Sequence, residues 1–267
     1  MIKGVWVPGK EKDAYCIQSV ENALTLLEAL CDEEDEVSLS RLSDRLSMNK
    51  ANVFRLLATF ESRGYVERSQ QSSKYRLGPS AYEIGQKFLS RMELLRKARS
   101  VMEQLVRECN ESVYLAVPCG DEVLFLYVVD SIQQVKIASL VGKRFPFERC
   151  AAGKIMQALT ELGPVAREEG VGESARMLEL EGLLHAGIAS DENMLGEGIS
   201  SLAVPLMRGN SKVAGSLVMV WPSFRVPSEG IEKQFEPALR LSGEIVSARL
   251  GYRGYEKSAG IRGRGIS

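Results

Sequence analysis

The feature that most constrains this chain is a change of hydrophobic period near residue 110. Before it, apolar residues recur three and four apart, as on helices that bury one face; after it they alternate or run continuously, as in strands. A length of 267 residues exceeds the roughly 150 of one ordinary domain, and the change of period places a division into two bodies. Helices and a short hairpin come first, then strands with intervening helices, so the fold class is α+β.

In the first body a helix opens at Ser19, a candidate N-cap, with Ala23, Leu24, Leu27 and Leu30 at helical spacing. The acidic run Asp32 to Glu36 ends it and reads as a solvated loop that would repel phosphate. Ser38 starts a second helix bearing Leu39, Leu42 and Leu46, and Ser47 to Asn49 form a tight turn. A third helix over 49–62 buries Val53, Leu56, Leu57 and Phe60, and Gly64 ends it. Its opposite face carries Ala51, Asn52, Arg55, Thr59 and Ser62. Tyr65 to Arg68 and Lys74 to Leu77 then alternate as strands about the polar tip Ser69 to Ser73. Residues 15–78 therefore read as a winged helix-turn-helix; the alternative is a small helical domain with an incidental basic face.

Charge favours the first of these. Residues 37–78 hold eight basic side chains (Arg41, Arg45, Lys50, Arg55, Arg63, Arg68, Lys74, Arg76) against three acidic ones, a surplus of five in a chain whose net charge is -1. Such a module suits a polyanion, here double-stranded DNA. A recognition helix reads the major groove from its N-terminal half, so Asn52 and Arg55 would meet bases or phosphates beside Ala51. Lys50 at the helix start and Arg41 on the preceding helix would meet phosphates. On the wing, Lys74 and Arg76 share one face while Tyr75 and Leu77 turn inward. About four phosphates per protomer would give a dimer a log–log salt slope near -7, from roughly -0.9 per contact.

Beyond Pro79, the residues Ala81, Ile84, Phe88, Leu94, Leu95, Val101 and Leu105 trace an interrupted helical connector, taken as 79–98, and a natural dimer seam. A second body over 99–252 follows. Strands are expected at Val113 to Val117, Val123 to Val129, Val135 to Leu140, Gly187 to Ser190, Ile199 to Leu206 and Val213 to Val220, in one antiparallel sheet. Helices are expected at Ala151 to Leu159, at Arg176 to His185, and from Glu229 to Leu250 with a kink near Pro237. Residues 1–14 and 253–267 read as loose tails.

Five cysteines without a C-x-x-C and a single histidine, His185, argue against a disulfide framework, a metal site and a histidine-based triad. No cofactor is expected and no enzyme. The apolar runs are too short to span a membrane and no secretory core opens the chain, so a cytoplasmic location is expected. After a loop over 142–150, a helix starts at Ala151-Ala152-Gly153. Its exposed amides and dipole would suit an anion such as a carboxylate, although small residues there could serve close packing alone. Cys150 just ahead is either a small apolar lining residue or a thiol whose pKa the dipole lowers.

In this order the motifs resemble the IclR-type bacterial transcription regulators, from about Tyr15 to Tyr252. The carriers are 17–23 (IQSVENA), 49–57 (NKANVFRLL), 74–78 (KYRLG), 151–154 (AAGK), 191–205 and 248–252 (ARLGY). The resemblance implies an N-terminal winged helix-turn-helix joined by a helical linker to a GAF-like α/β effector-binding domain. It further implies homodimers or tetramers on palindromic operators, a small-molecule effector and no catalysis. Cys150, Ala151, Ala152 and Gly153 would line the effector pocket, with Asp191 and Ser201 as its polar residues. Val218 and Val220 stand where small-acid sensors of the family can place hydroxyls, which implies a more apolar effector, an aromatic or larger carboxylic acid. An enzyme on a GAF-like body, or a ligand sensor acting through a protein partner, are the rival functions.

Overall fold

The computed structural model describes residues 16–33, 35–162, 175–226 and 228–254, so the two expected tails lie almost wholly outside the described residues. The chain divides into two compact bodies at Met92/Glu93.

The first body contains α1 (Gln18–Cys31), α2 (Leu39–Leu46) and α3 (Lys50–Ser62), then a wing of β1 (Val66–Arg68) and β2 (Tyr75–Leu77), then α4 (Pro79–Arg91). Caps set two of the starts: the Ser38 hydroxyl accepts from the Arg41 N–H, and the Asn49 side chain accepts from the Asn52 N–H at 2.8 Å. Ser19 does not cap α1, whose N-cap is Ile17 with no side-chain bond. The buried stripe of α1 is also rotated from expectation. Leu26, Ala29 and Leu30 face the core while Leu24 is 51% exposed, because 23–30 offers two overlapping apolar stripes and only one meets α2 and α3. Gly64 (φ +75°) turns the chain out of α3 as a C′ glycine. β1 and β2 pair antiparallel, Glu67 opposite Arg76, and Val37 bridges to Tyr75, giving the wing a third strand-like edge. Tyr75 is buried as expected; Leu77 is not.

The second body begins with α5 (Glu93–Cys109), whose Leu94, Leu95, Ala98 and Val101 are buried. A six-stranded antiparallel sheet follows in the order β5-β4-β3-β8-β7-β6. Its strands are β3 (Ser112–Cys119), β4 (Glu122–Val129), β5 (Arg144–Pro146), β6 (Ala189–Glu192), β7 (Ile199–Met207) and β8 (Val213–Pro222). The helices are α6 (Ala151–Leu162), α7 (Ala175–Ala186), the short α8 (Ser228–Gly230) and α9 (Glu236–Arg249); a π-type turn over Ile231–Phe235 precedes α9, with Pro237 in its first turn.

The strand expected at Val135 to Leu140 is absent. The edge of β4 is taken instead by β5, Val123 facing Phe145, and 130–141 crosses over as irregular chain. Its alternation reflects Ile137 and Leu140 dipping into the core while Ile132 and Val135 face out. Arg225 holds this crossover: its guanidinium donates to both carboxylate oxygens of the buried Glu111 at 2.7 Å and to the Val135 carbonyl.

Candidate nucleic-acid interface and effector site

On α3, Lys50, Ala51 and Arg55 are exposed, and Asn52 is half-buried beside the core face. The basic residues of this body fall into two groups. Arg41 pairs with Glu33 at 3.0 Å; Arg45 pairs with Asp32 at 2.5 Å and with Glu33 at 3.0 Å, and also donates to the Ala29 carbonyl. Arg76 pairs with Glu67 at 2.9 Å across the wing, within 4.0 Å of Glu36. The acidic run after α1 is therefore not a free solvated loop: Asp32, Glu33 and Glu36 hold arginines, and Glu36 accepts from the Ser72 hydroxyl at 2.6 Å. Lys50, Arg55 and Lys74 have no ion-pair partner among the described residues. Among the residues expected at DNA they are the unpaired cations; Arg63, Arg68 and Arg91 of this body also lack an ion-pair partner among the described residues, Arg68 lying over the Tyr75 ring at 5.7 Å. One further residue that no charge or helical period singles out, Phe54, stands 51% exposed on the same helix.

In the second body the sheet gathers the other candidates. Asp191 on β6 lies opposite Ser201 on β7, and Ser201 opposite Val220 on β8. Asp191 Oδ2 accepts from the Ala151 N–H at 2.5 Å and from the Ser201 hydroxyl at 2.8 Å, while Oδ1 is buried with no partner. The amides of Ala152 and Gly153 point at the Cys150 thiol, and the Lys154 N–H donates to the Cys150 carbonyl at 3.0 Å. The first turn of α6 is thus capped from within the chain. It does not present the open amides that its small residues suggest. Gly153 serves packing as well, since a Cβ there would lie 2.2 Å from the Phe147 carbonyl oxygen.

Around this polar knot the packing is apolar. Val218, Val220, Ala151, Ala152 and Cys150 are buried in one cluster with Tyr114 and Phe125. The rings of Tyr114 and Phe125 meet edge-on at 5.5 Å, and the Tyr114 hydroxyl bonds to the Leu140 backbone. Nothing local marks Tyr114 in the sequence, where it sits in a plain strand pattern. Burial pushes the Asp191 carboxyl above its ordinary pKa, against the opposing bonds from Ala151 and Ser201 and the nearby Lys154 charge. Burial also pushes the Cys150 thiol up to about 12, outweighing the amides that favour its thiolate. The helix dipole therefore does not lower the Cys150 pKa, and the thiol is buried in the apolar cluster.

No group of three or more histidine, cysteine or acidic residues suited to a metal occurs among the described residues, and none of their helices is long and apolar enough to cross a membrane.

Residues 19–70 match the family model of the IclR helix-turn-helix domain, and residues 86–167 that of the bacterial transcriptional regulator IclR C-terminal domain. Together the two models span half of the chain. The HTH-type transcriptional regulator KdgR of Escherichia coli K12 is 28% identical over 257 residues, covering 92% of this chain and 97% of its own. XynR of the same organism, also an HTH-type transcriptional regulator, is 27% identical over 248 residues, covering 88% and 98%. Among solved structures, an IclR transcriptional regulator from Alicyclobacillus acidocaldarius superposes with a TM-score of 0.74 at 25% identity, covering 89% of this chain and 100% of that one. The fold is shared too with an IclR homologue from Microbacterium hydrocarbonoxydans complexed with 4-hydroxybenzoate, at a TM-score of 0.68 and 23% identity, covering 87% and 98%.

Proposed function

Because the chain belongs to the IclR family of DNA-binding transcription regulators, we propose that it binds a palindromic operator as a homodimer or tetramer and that an apolar, aromatic or larger carboxylic acid in the second body modulates this binding. The division of labour is the one the charges suggest. Arg55, Asn52 and Ala51 face the groove, and Lys50 and Lys74 hold phosphates, with Arg41 and Arg76 behind them in ion pairs. Exposed apolar residues of the first body support self-association: Ile17, Val20 and Leu24 form one stripe of α1, and Ile84 and Phe88 another on α4. The protein would act in the cytoplasm, where its DNA is.

The observation that carries the effector proposal is Asp191 Oδ1, buried without a partner beside an apolar cluster. A buried oxygen left unpaired costs about 1–3 kcal/mol, so a bound molecule that completes it gains that much. Burial favours the protonated form of Asp191, and in that form the carboxyl would donate from Oδ1 to an effector carboxylate. Oδ2 meanwhile stays on Ala151 and Ser201. Val218 and Val220 accept the apolar part of the acid. Precedent for a ring of this size exists in the protein of this fold complexed with 4-hydroxybenzoate.

The test is calorimetric titration with a panel of aromatic and aliphatic acids between about pH 5 and 8, with Asp191→Asn in parallel. Wild-type affinity should fall as pH rises and Asp191 loses its proton. In Asp191→Asn the amide NH2 donates at any pH, so its affinity should stay level. Affinity that rises with pH, or an Asp191→Asn protein that binds no acid, would refute the shared proton. Operator binding that ignores the acid bound would refute the modulation.

A further inference from the structure

We propose that Phe54 is a specificity-determining residue, reading the C5-methyl group of a thymine in the major groove. This rests on the DNA-binding function and adds to it an apolar contact made beside the charged ones. Phe54 follows Ala51 by three residues and precedes Ala58 by four, so the three form one strip along α3, and all are exposed. The core does not need the ring: Val53 and Leu57, its neighbours on the inner face, are fully buried and already fill that side. No ring stacks on Phe54 among the described residues; the ring contact of α3 is made by Phe60 with Tyr65.

Its surroundings decide what covers it. Lys50 lies four residues before it and Arg55 directly after, both exposed cations without ion-pair partners among the described residues. A second copy seated here would bring like charges together with nothing to neutralise them, whereas DNA supplies phosphates for the cations and a groove for the ring. A phenyl ring forms no conventional hydrogen bond with a base edge. It distinguishes bases there by apolar contact, and the thymine methyl is the apolar group that the major groove displays. Burying one methyl is worth roughly fourfold in affinity, and the symmetric pair in a palindrome roughly 15-fold.

The experiment uses the full chain. Duplexes are enriched from a randomised library, and each thymine of the enriched site is replaced in turn by deoxyuracil, which lacks only the methyl. Wild type should bind about fourfold more weakly when one particular thymine in a half-site is replaced. Phe54→Ala should bind the thymine duplex more weakly and be indifferent to that replacement, while Phe54→Leu keeps part of the preference. Because the ring is exposed, the thermal midpoint of Phe54→Ala should match wild type, and its salt slope should too. Arg55→Ala should behave in the opposite way, with a shallower salt slope and retained sensitivity to uracil. The proposal is overturned if wild type ignores every replacement or if Phe54→Ala keeps the preference. It is also overturned if Phe54→Ala changes the sedimentation of the oligomer and leaves DNA affinity untouched. A protein that enriches no duplex overturns DNA binding itself.

Discussion

Neutralising Glu33 should make DNA binding tighter and more sensitive to salt. Glu33 pairs with both Arg41 and Arg45, and its side chain is 13% exposed against 69% for Arg41. With Arg41, Arg45 and Arg76 held by carboxylates, the unpaired cations expected at DNA are Lys50, Arg55 and Lys74 of each protomer, six in a dimer when Arg63 after α3 and Arg68 on the Tyr75 ring are left out. At roughly -0.9 per contact the log–log salt slope is then about -5, shallower than the -7 that four phosphates per protomer would give. Glu33→Gln releases Arg41 while Asp32 still holds Arg45 at 2.5 Å. One extra contact per protomer steepens the slope by about 1.8. Fluorescence anisotropy of an enriched duplex between about 50 and 300 mM salt measures both proteins. Stability serves as the control, because an ion pair with so exposed an arginine is worth about 0–1 kcal/mol and the fold should survive its loss. A wild-type slope already near -7 would mean that these pairs yield to phosphate on binding. An unchanged slope in Glu33→Gln would mean that Arg41 never reaches DNA. Either result refutes the idea that the acidic run restrains the arginines.

Two further outcomes follow from the second body. Gly153→Ala should cost about 1–3 kcal/mol and lower the thermal midpoint by roughly 2–10 °C, because its Cβ would stand 2.2 Å from a backbone oxygen; Gly182→Ala on α7, where the same atom meets nothing within 4 Å, should stabilise slightly, and equal effects would refute the packing argument. For Asp191, whose folded pKa is raised above the ordinary 3.8, the folded state binds the proton more tightly than the unfolded one. Its contribution to stability is therefore complete below that value and is lost as pH climbs through the raised one. Urea unfolding should show wild type losing stability relative to Asp191→Asn over that range, and a difference that grows with pH would refute the assignment.

Much of the fold was legible because its signals are local. The caps Ser38 and Asn49 act three residues ahead, Gly64 marks a left-handed turn, and the stripe Val53, Leu57 repeats within one helix. Where the local signal was ambiguous the sequence misled. Two apolar stripes overlap in α1, and the alternation of 135–140 records which side chains reach the core rather than any strand pairing. β5 is three residues long, too short for a period to register.

The site was legible in residue type and not in pairing, for one physical reason. The alternation puts Ser201 in a strand, but the strand expected at Gly187 to Ser190 stops one residue short of Asp191, which β6 (Ala189–Glu192) includes, and nothing within reach of either residue reveals that β6 and β7 set them opposite each other. Still less does it reveal that the carboxylate of Asp191 lands 40 residues back in the chain, on the first amide of α6. The small residues there announce a helix start that something must cap; that the Asp191 carboxyl caps it is settled by sheet register. The same holds for the arginines. A surplus of five positive charges was visible, yet how many are free for phosphate depends on Asp32 folding back 13 residues onto Arg45 and on Glu67 facing Arg76 across the wing. Composition therefore overstates the charge available to DNA and the amides left open at the start of α6, in both cases because a carboxyl group of the chain itself reaches the partner first.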